Sequence, residues 1–524
     1  MRRDLSLLQN RRFDVVVVGG GIQGACVARD AALRGLSTAL IEQADFCSAT
    51  SHNSLKTIHG GIRYLQHLNF RRAIDSIREQ QIFLRTAPHL VQPLNFLMPA
   101  YGYGMRGPLA LGAGIGLFEL LNALVSLRDG NRPGWPKGRL MRAAACRALA
   151  PGIDRHGLSG GAVWADAQVG FADKAVLQIL QQAVDHGACA ANRVQAEQLC
   201  FSAPDRGSVC GLKAKDMRTG NRFEIQARSV VNATGPWAAD WIEQAGGARL
   251  SLKVGLVKSM NLVTSKPALP YALAVKSARA SDSRVDRAKR MFFVVPWQGK
   301  AVIGTTHFTY RGPSGGIETD PEEIAAFVDE FNTACPAMGL ALDDILYCYQ
   351  GLTPGDGKAA EDGAKLHESK IVDHAATDGI GGMFSIVSIK WTTARLTAEQ
   401  TVDRLLRQWN EHRSCRTRQT PLPDYPDMPH DTCGLSGAQL RSFVAAHIEH
   451  TQAFRFSDIV LRRTNDLVLG RMRAKQFAVI LQTLADHFDW PAERRREEAQ
   501  QVLDRLSSSA FKRTLINGLE TVRL

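Results

Sequence analysis

The sequence predicts an α/β fold in three parts: a parallel-sheet unit that opens the chain, an interleaved antiparallel sheet (an α+β part), and a helical domain at the end. Three observations predict this. Four valines, Val15 to Val18, run straight into closely spaced glycines. The middle of the chain holds apolar runs punctuated like hairpins. Beyond residue 436, apolar positions recur three and four residues apart.

The valine run suits a strand buried on both faces of a parallel sheet. Gly19, Gly21 and Gly24 give the G-x-G-x-x-G spacing within Gly19-Gly20-Gly21-Ile22-Gln23-Gly24. The first glycine permits a tight turn, the second lets the backbone approach a pyrophosphate, and the third lets helix and strand pack closely. A helix from Ala25 to about Arg34 then aims its N-terminal amides at the phosphates. Ser37 to Ile41 reads as a second strand, ending in Glu42. That carboxylate stands about twenty residues on, where an acid accepts a ribose hydroxyl bond. Glycines alone are weak evidence, but strand, turn, helix, strand and acid together define a Rossmann-like dinucleotide site. Glu42 argues against NADP, whose 2′-phosphate would meet like charge.

The stretch after Glu42 bears on which dinucleotide is held. A nicotinamide dehydrogenase would continue with alternating strands and helices. Here "FCSATSHNSLKTIHGGIRYLQH" follows, too long and polar for an ordinary connection. Its hydroxyls, with Gly60 and Gly61, suit a loop wrapped against phosphates and a flat ring. Much later, "SVVNATGPWA" is a short apolar strand ending in Ala233-Thr234-Gly235. These pieces resemble the two-dinucleotide-binding flavoproteins of the D-amino-acid oxidase type, and more closely the FAD-dependent glycerol-3-phosphate dehydrogenases. The resemblance implies FAD. It would be held by Gly19, Gly20, Gly21, Ile22, Gln23, Gly24 and Glu42; by Thr50, Ser51, Lys56, His59, Gly60 and Gly61; by Ala233, Thr234 and Gly235; and by Lys390 and Thr392.

The FAD-binding part is expected in pieces, about 13–90, 192–246 and 347–405, interleaved with the substrate-binding sheet inside 13–410. "LSGGAVWADAQVGF", "SLKVGLVKSMNLVTS" and "KRMFFVVPWQGKAVIGTTHF" supply strands of that sheet. In the last, Gln298-Gly299-Lys300 separates two apolar runs, a hairpin signal. Residues 411–435 read as a linker, with prolines at 421, 423, 426 and 429. Residues 436–524 read as helices.

Composition narrows the function classes. Lys and Arg total 64 against 51 Asp and Glu, a net charge of +13. The basic residues are dispersed, without aromatic interleaving, so nucleic acid is not an expected partner. Ten cysteines show no paired spacing, which excludes a Cys/His metal centre and suits reduced thiols in a cytoplasmic protein. "GPLALGAGIGLFELLNALVSL" is long enough to span a bilayer, but it contains Glu119 and Asn122 and lies between Arg106 and Arg128. A buried or surface-lying helix is the expectation; peripheral contact with the inner face of the cytoplasmic membrane is what the family resemblance implies.

The resemblance runs from about Phe13 to beyond Arg463. Its most specific block is Thr50, Ser51, Lys56, His59, Gly60, Gly61, Arg63 and Tyr64. The Pro-Trp…Ile-Gly-Thr-Thr hairpin, the "IKWTTAR" turn (Lys390, Thr392, Thr393, Arg395) and "DIVLRRTNDL" extend it. It implies hydride transfer from a secondary alcohol carbon to flavin, with a quinone-type acceptor downstream. The implied substrate is a phosphorylated polyol or a similar small molecule. Arg63 is a candidate anchor for the substrate's anionic group, its fork suiting phosphate; a structural ion pair is the other use of such a residue. Lys390 is a candidate to place positive charge at the flavin. Three departures open the alternative of a different alcohol or amine substrate. Asn261 stands at a histidine position and cannot act as a base. Thr353 stands at an arginine position, and Ser388-Ile389 replaces two glycines. His307, at a position usually acidic in the family, is a candidate relocated base; a surface histidine in a hairpin is the alternative. A non-catalytic FAD-binding partner protein is a further alternative.

Overall fold

The computed structural model describes residues 1–65, 68–104, 107–129, 135–203, 207–247, 250–280, 289–310, 312, 317, 320–355 and 368–521. Two sheets organise them. In the first, the strand order is Lys370–Asp373, Met383–Val387, Arg222–Asn232, Phe13–Val18, Thr38–Glu42 and Cys189–Asn192. The valine strand is central, with parallel neighbours on both sides. Val15, Val16 and Val17 are fully buried, as a continuous apolar strand covered on both faces should be. One face is covered by helices Ile22–Leu33, Ala172–Asp185 and Ala394–Gln408. Every residue of Ile22–Leu33 is buried; Ala25, Ala28, Ala31 and Ala32 keep it slim enough for that. The other face carries the strands Val194–Phe201 and Val209–Asp216 and the helix Ala238–Gly246.

The second sheet runs Ile345–Gly355, Gly255–Pro267, Lys300–Thr309, Lys289–Trp297, Ala272–Ala280, Val91–Tyr101, Leu158–Val169 and Thr57–Ile58. Its hairpin turns at Gln298 (φ +48°) and Gly299 (φ +83°). Two positive φ values in succession suit a two-residue turn that matches strand twist.

Three expected boundaries shift. Ile345–Gly355 pairs with Gly255–Pro267, so of the FAD-binding piece expected from about 347 to 405 the strands of the first sheet begin at Lys370. Thr57–Ile58 pairs with Leu158–Val169, so the loop after Glu42 crosses from the first sheet to the second. Residues 411–435 are a strap packed on the first domain rather than a free linker. Leu422 and Met428 enter its core, and the Leu422 amide donates to the Thr86 carbonyl at 2.7 Å. Prolines without periodicity rule out helix, but they do not prevent an extended segment from being bonded along its length.

The helix Pro108–Asp129 lies against the second sheet, burying Ile115, Phe118, Leu121 and Val125 beside Phe96 and Trp164. Its length and composition would suffice to cross a membrane. Its outward leucines stay exposed: Leu109 82%, Leu120 55%, Leu124 54% and Leu127 84%. Arg106 falls outside the described residues. The C-terminal helices Gly437–Thr451, Ala474–His487, Ala492–Leu503 and Ser509–Thr521 share one core, including Leu440, Leu481 and Val502, with Trp297, Tyr347 and Tyr349 of the second sheet. The first of them opens on a capping box between Ser436 and Gln439.

Candidate active site

The glycine turn is built for close approach. Gly19 has φ +112°, and a Cβ there would stand 2.6 Å from the Ala233 carbonyl oxygen. A Cβ on Gly24 would run into the Gly19 carbonyl, so helix and turn pack backbone to backbone. A Cβ on Gly21 would meet nothing closer than Ser51 Oγ at 3.0 Å. The Gly21 surface is therefore bare toward the cleft under the Ser51 loop.

Glu42 ends its strand with both oxygens aimed. Gly20 N–H donates to one at 2.7 Å and Ala44 N–H to the other at 2.8 Å. Burial pushes its carboxyl up, against the pull of these two amides. Ser51 Oγ accepts from the Ile22 amide at 2.9 Å, and Thr50 Oγ1 donates to the Leu352 carbonyl at 2.7 Å. Gln23 Nε2 reaches Ser388 Oγ at 3.1 Å and the Lys390 carbonyl at 2.9 Å. Its Oε1 is buried without a hydrogen-bond partner among the described residues. Thr234 Oγ1 donates to Asn232 at 2.7 Å, and Gly235 takes φ +67°. Thr392 is buried beside Trp391, whose indole donates to the Ser51 carbonyl at 3.1 Å. Glycine turn, acid, hydroxyl loop and the 388–392 turn thus converge on one cleft. Its bare glycine, the helix N-terminus that follows it and the buried Gln23 oxygen fit a dinucleotide with phosphates at the turn.

Lys56 is placed differently from expectation. It takes φ +61° and turns inward, donating to the His52 carbonyl at 2.5 Å beneath the faces of Tyr349 and Trp297. His52 Nδ1 lies 3.0 Å from both oxygens of Asp173. Burial opposes the Asp173 charge, but His52, Lys56 and Arg462 outweigh it and hold the carboxyl below its ordinary value. Lys56 therefore braces the loop from below rather than facing the cleft.

At the second sheet the loop ends in His59-Gly60-Gly61. A Cβ on Gly60 would lie 2.8 Å from Phe118, and one on Gly61 2.7 Å from Tyr64, so neighbouring rings already require both glycines. His59 sits between Phe96 and Phe293, its side chain 41% exposed, with Nδ1 at 3.4 Å from Asp166. Asp166 is buried and held by Gly60 N–H (2.6 Å), Gln80 Nε2 (2.9 Å) and Trp164 Nε1 (3.2 Å). Arg63 is exposed on the short helix Ile62–Leu65. Lys390 Nζ lies 4.0 Å from the centre of the Tyr64 ring, with the Arg72 guanidinium 4.4 Å from the same ring. Burial pulls the Lys390 amine down to about 7.

Two of the three departures, Asn261 and Thr353, share one face of the second sheet with His307, while Ser388-Ile389 lies in the turn at Gln23. Ser259 pairs in register with His307 and Gly351; its Oγ lies 3.2 Å from His307 Nδ1 and 3.4 Å from Thr353 Oγ1. Asn261 points the same way, accepting from Thr305 Oγ1 at 2.8 Å. Gly351, on that face, lies against Thr50 and Asn53. Asp166 is the functional candidate that motif reading passed over; Tyr64 entered it as part of the matching block, without a role. An acid inside the apolar strand "GAVWADAQV" was the available signal, since aspartate is seldom fully buried without partners.

Known proteins share this chain's sequence family and fold. The sequence model of the FAD dependent oxidoreductase family matches residues 14–404. A glycerol-3-phosphate dehydrogenase of Synechocystis is 33% identical over 433 residues, 80% of this chain and 75% of that protein. An aerobic glycerol-3-phosphate dehydrogenase of Staphylococcus haemolyticus is 27% identical over 87% of this chain and 78% of its own length. Among solved structures, the FAD complex of Bacillus halodurans glycerol-3-phosphate dehydrogenase superposes with a TM-score of 0.69 at 23% identity, covering 94% of each chain. The FAD-bound glycerophosphate oxidase of Mycoplasma pneumoniae gives 0.55 at 14% identity, over 79% of this chain and 100% of that one. The chain belongs to the FAD-dependent oxidoreductase family. Within that family it is a glycerol-3-phosphate dehydrogenase-like enzyme, and its cofactor is FAD.

Proposed function

We propose that the enzyme oxidises the secondary alcohol of glycerol-3-phosphate and delivers the electrons to a quinone-type acceptor at the inner face of the cytoplasmic membrane. The observation that carries this reading is His59 with Asp166 behind it. An imidazole whose Nδ1–H faces a buried carboxylate presents Nε2 as the acceptor for a hydroxyl proton. The 3.4 Å separation is long, as catalytic contacts often are before substrate binds. The glycine turn, Glu42 and the Ser51 loop would hold FAD, which would supply the hydride acceptor for the carbon whose hydroxyl proton His59 accepts. Arg63 would supply positive charge for the phosphate and Lys390, held over the Tyr64 ring, positive charge for the reduced cofactor when protonated. His307 is the second candidate base, although Ser259 occupies its Nδ1.

The exposed leucines of Pro108–Asp129, with Arg128, Arg139 and Arg142 nearby, suit an interface lying on anionic lipid. A second reading, oxidation of a different alcohol or an amine, is favoured by the hydrogen-bonded Ser259–His307–Thr353 set. Anaerobic mixing separates the readings. Glycerol-3-phosphate should bleach the flavin, and His59→Ala should slow bleaching about a hundredfold or more, with His307→Ala the smaller effect. Bleaching by an amine and not by glycerol-3-phosphate would support the second.

A further inference from the structure

We infer that Arg462 and Arg463 of the C-terminal domain are positioning residues for the dinucleotide site, acting through Asp45 on Glu42; this rests on Glu42 being the ribose acceptor. Both arginines lie beyond residue 404, where the family match ends, yet they are built into the edge of the first sheet. Arg462 Nε donates to Asp45 Oδ2 at 2.7 Å, Arg463 Nη1 to the same oxygen at 2.8 Å, and Arg463 Nη2 to Oδ1 at 2.8 Å. Asn192 Nδ2 adds a fourth donor at 3.2 Å. The side chains of Asp45 and Arg463 have 0% exposure. Arg463 is held from its own domain by Thr451 Oγ1 at 2.9 Å and by the Thr451 carbonyl at 3.1 Å. Arg462 is held by Asp458, which also pairs with Arg193. The two arginines occupy a π-helical turn, Ile459–Arg463, a local irregularity that recurs at functional sites.

Stability alone does not account for this cluster. Desolvating charges is costly, and well-packed apolar replacements of buried ion networks are often as stable or more so. What the cluster does fix is the turn after Glu42. Asp45 is immobilised by four donors, and its carbonyl accepts from the Ser48 amide at 3.2 Å. The preceding residue, Ala44, gives its N–H to Glu42 and receives the Arg193 amide at 3.0 Å. Cys47 N–H returns to the Gly20 carbonyl at 3.0 Å, closing the turn onto the glycine loop. If Asp45 loosens, the Ala44 amide drifts and one of the two bonds that aim Glu42 goes with it.

The test uses full-length protein and dissociation constants for FAD and FMN, read by flavin fluorescence well below the melting temperature. Arg463→Lys should weaken FAD about tenfold and leave FMN, which has no adenosine half, within twofold. Glu42→Gln should also weaken FAD, and the double variant should be no weaker than Glu42→Gln alone, because both changes act on one contact. Parent-like FAD affinity in Arg463→Lys, equal losses for FAD and FMN, or additive losses in the double variant would each overturn the inference. Parent-like affinity in Glu42→Gln would instead remove the ribose assignment itself. Should Arg463→Lys not fold, Thr451→Val removes one neutral hydrogen bond to Arg463 and should weaken FAD about threefold; unchanged affinity there overturns the inference equally.

Discussion

Gly21→Ala separates cofactor binding from folding, because the two demands fall on different glycines of one turn. Gly21 has φ −80° and ψ −176°, a conformation alanine adopts freely. The added methyl would touch only Ser51 Oγ, at 3.0 Å, a contact that a few tenths of an ångström relieves. The protein should therefore fold with a melting temperature close to the parent's. The methyl would project toward the cleft where the phosphates approach, an overpacking of about 1–3 kcal/mol. In affinity that is roughly five- to 150-fold. Gly24→Ala is the control: its methyl would collide with the Gly19 carbonyl backbone, so both stability and FAD should be lost. The assay is FAD retained on gel filtration together with a thermal melt of each variant. Gly21→Ala protein that keeps FAD at parental affinity would refute the placement of phosphates at this turn.

Other perturbations have equally definite outcomes. Burial pulls Lys390 down to about 7 from 10.5, so between those values the unfolded chain holds a proton that the fold does not; stability from this group rises with pH across that window. Lys390→Met should flatten the rise, and urea midpoints at pH 6.5 and 9 that shift in parallel with the parent's would contradict it. Arg395 grips Glu79 at 2.6 and 2.7 Å in the core; Arg395→Met leaves a buried carboxylate unpaired and should cost about 3–5 kcal/mol in denaturant unfolding. Leu120→Glu with Leu124→Glu should leave the melting temperature unchanged but remove about 3 kcal/mol or more of apolar insertion. Sedimentation with anionic vesicles would then fall about a hundredfold, and unaltered sedimentation would exclude this helix as the lipid contact.

What the sequence revealed was largely local. The valine strand, the glycine turn, Glu42 and the Gln298-Gly299 turn each depend on neighbours a few residues away, so pattern reading reached them. The helical tail was legible because its apolar spacing repeats. Lys56 was not, because its orientation depends on Tyr349 and Trp297, which come from distant strands. Asp166 pairs with a histidine 107 residues away, a distance no motif encodes. The start of the 347–405 piece was not resolved by sequence, because apolar strands of both sheets look alike until their partners are known, and Ile345–Gly355 pairs in the second. Residues 411–435 read as a linker because prolines signal the loss of helix and carry no information about what an extended chain lies on.

Anaerobic stopped-flow mixing of the FAD-bound enzyme with glycerol-3-phosphate tests the central claim most directly. The account predicts loss of oxidised-flavin absorbance in a single substrate-dependent phase, slowed about a hundredfold or more in His59→Ala and reversed when a quinone is added. Flavin that stays oxidised with glycerol-3-phosphate but is reduced by an amine would contradict it.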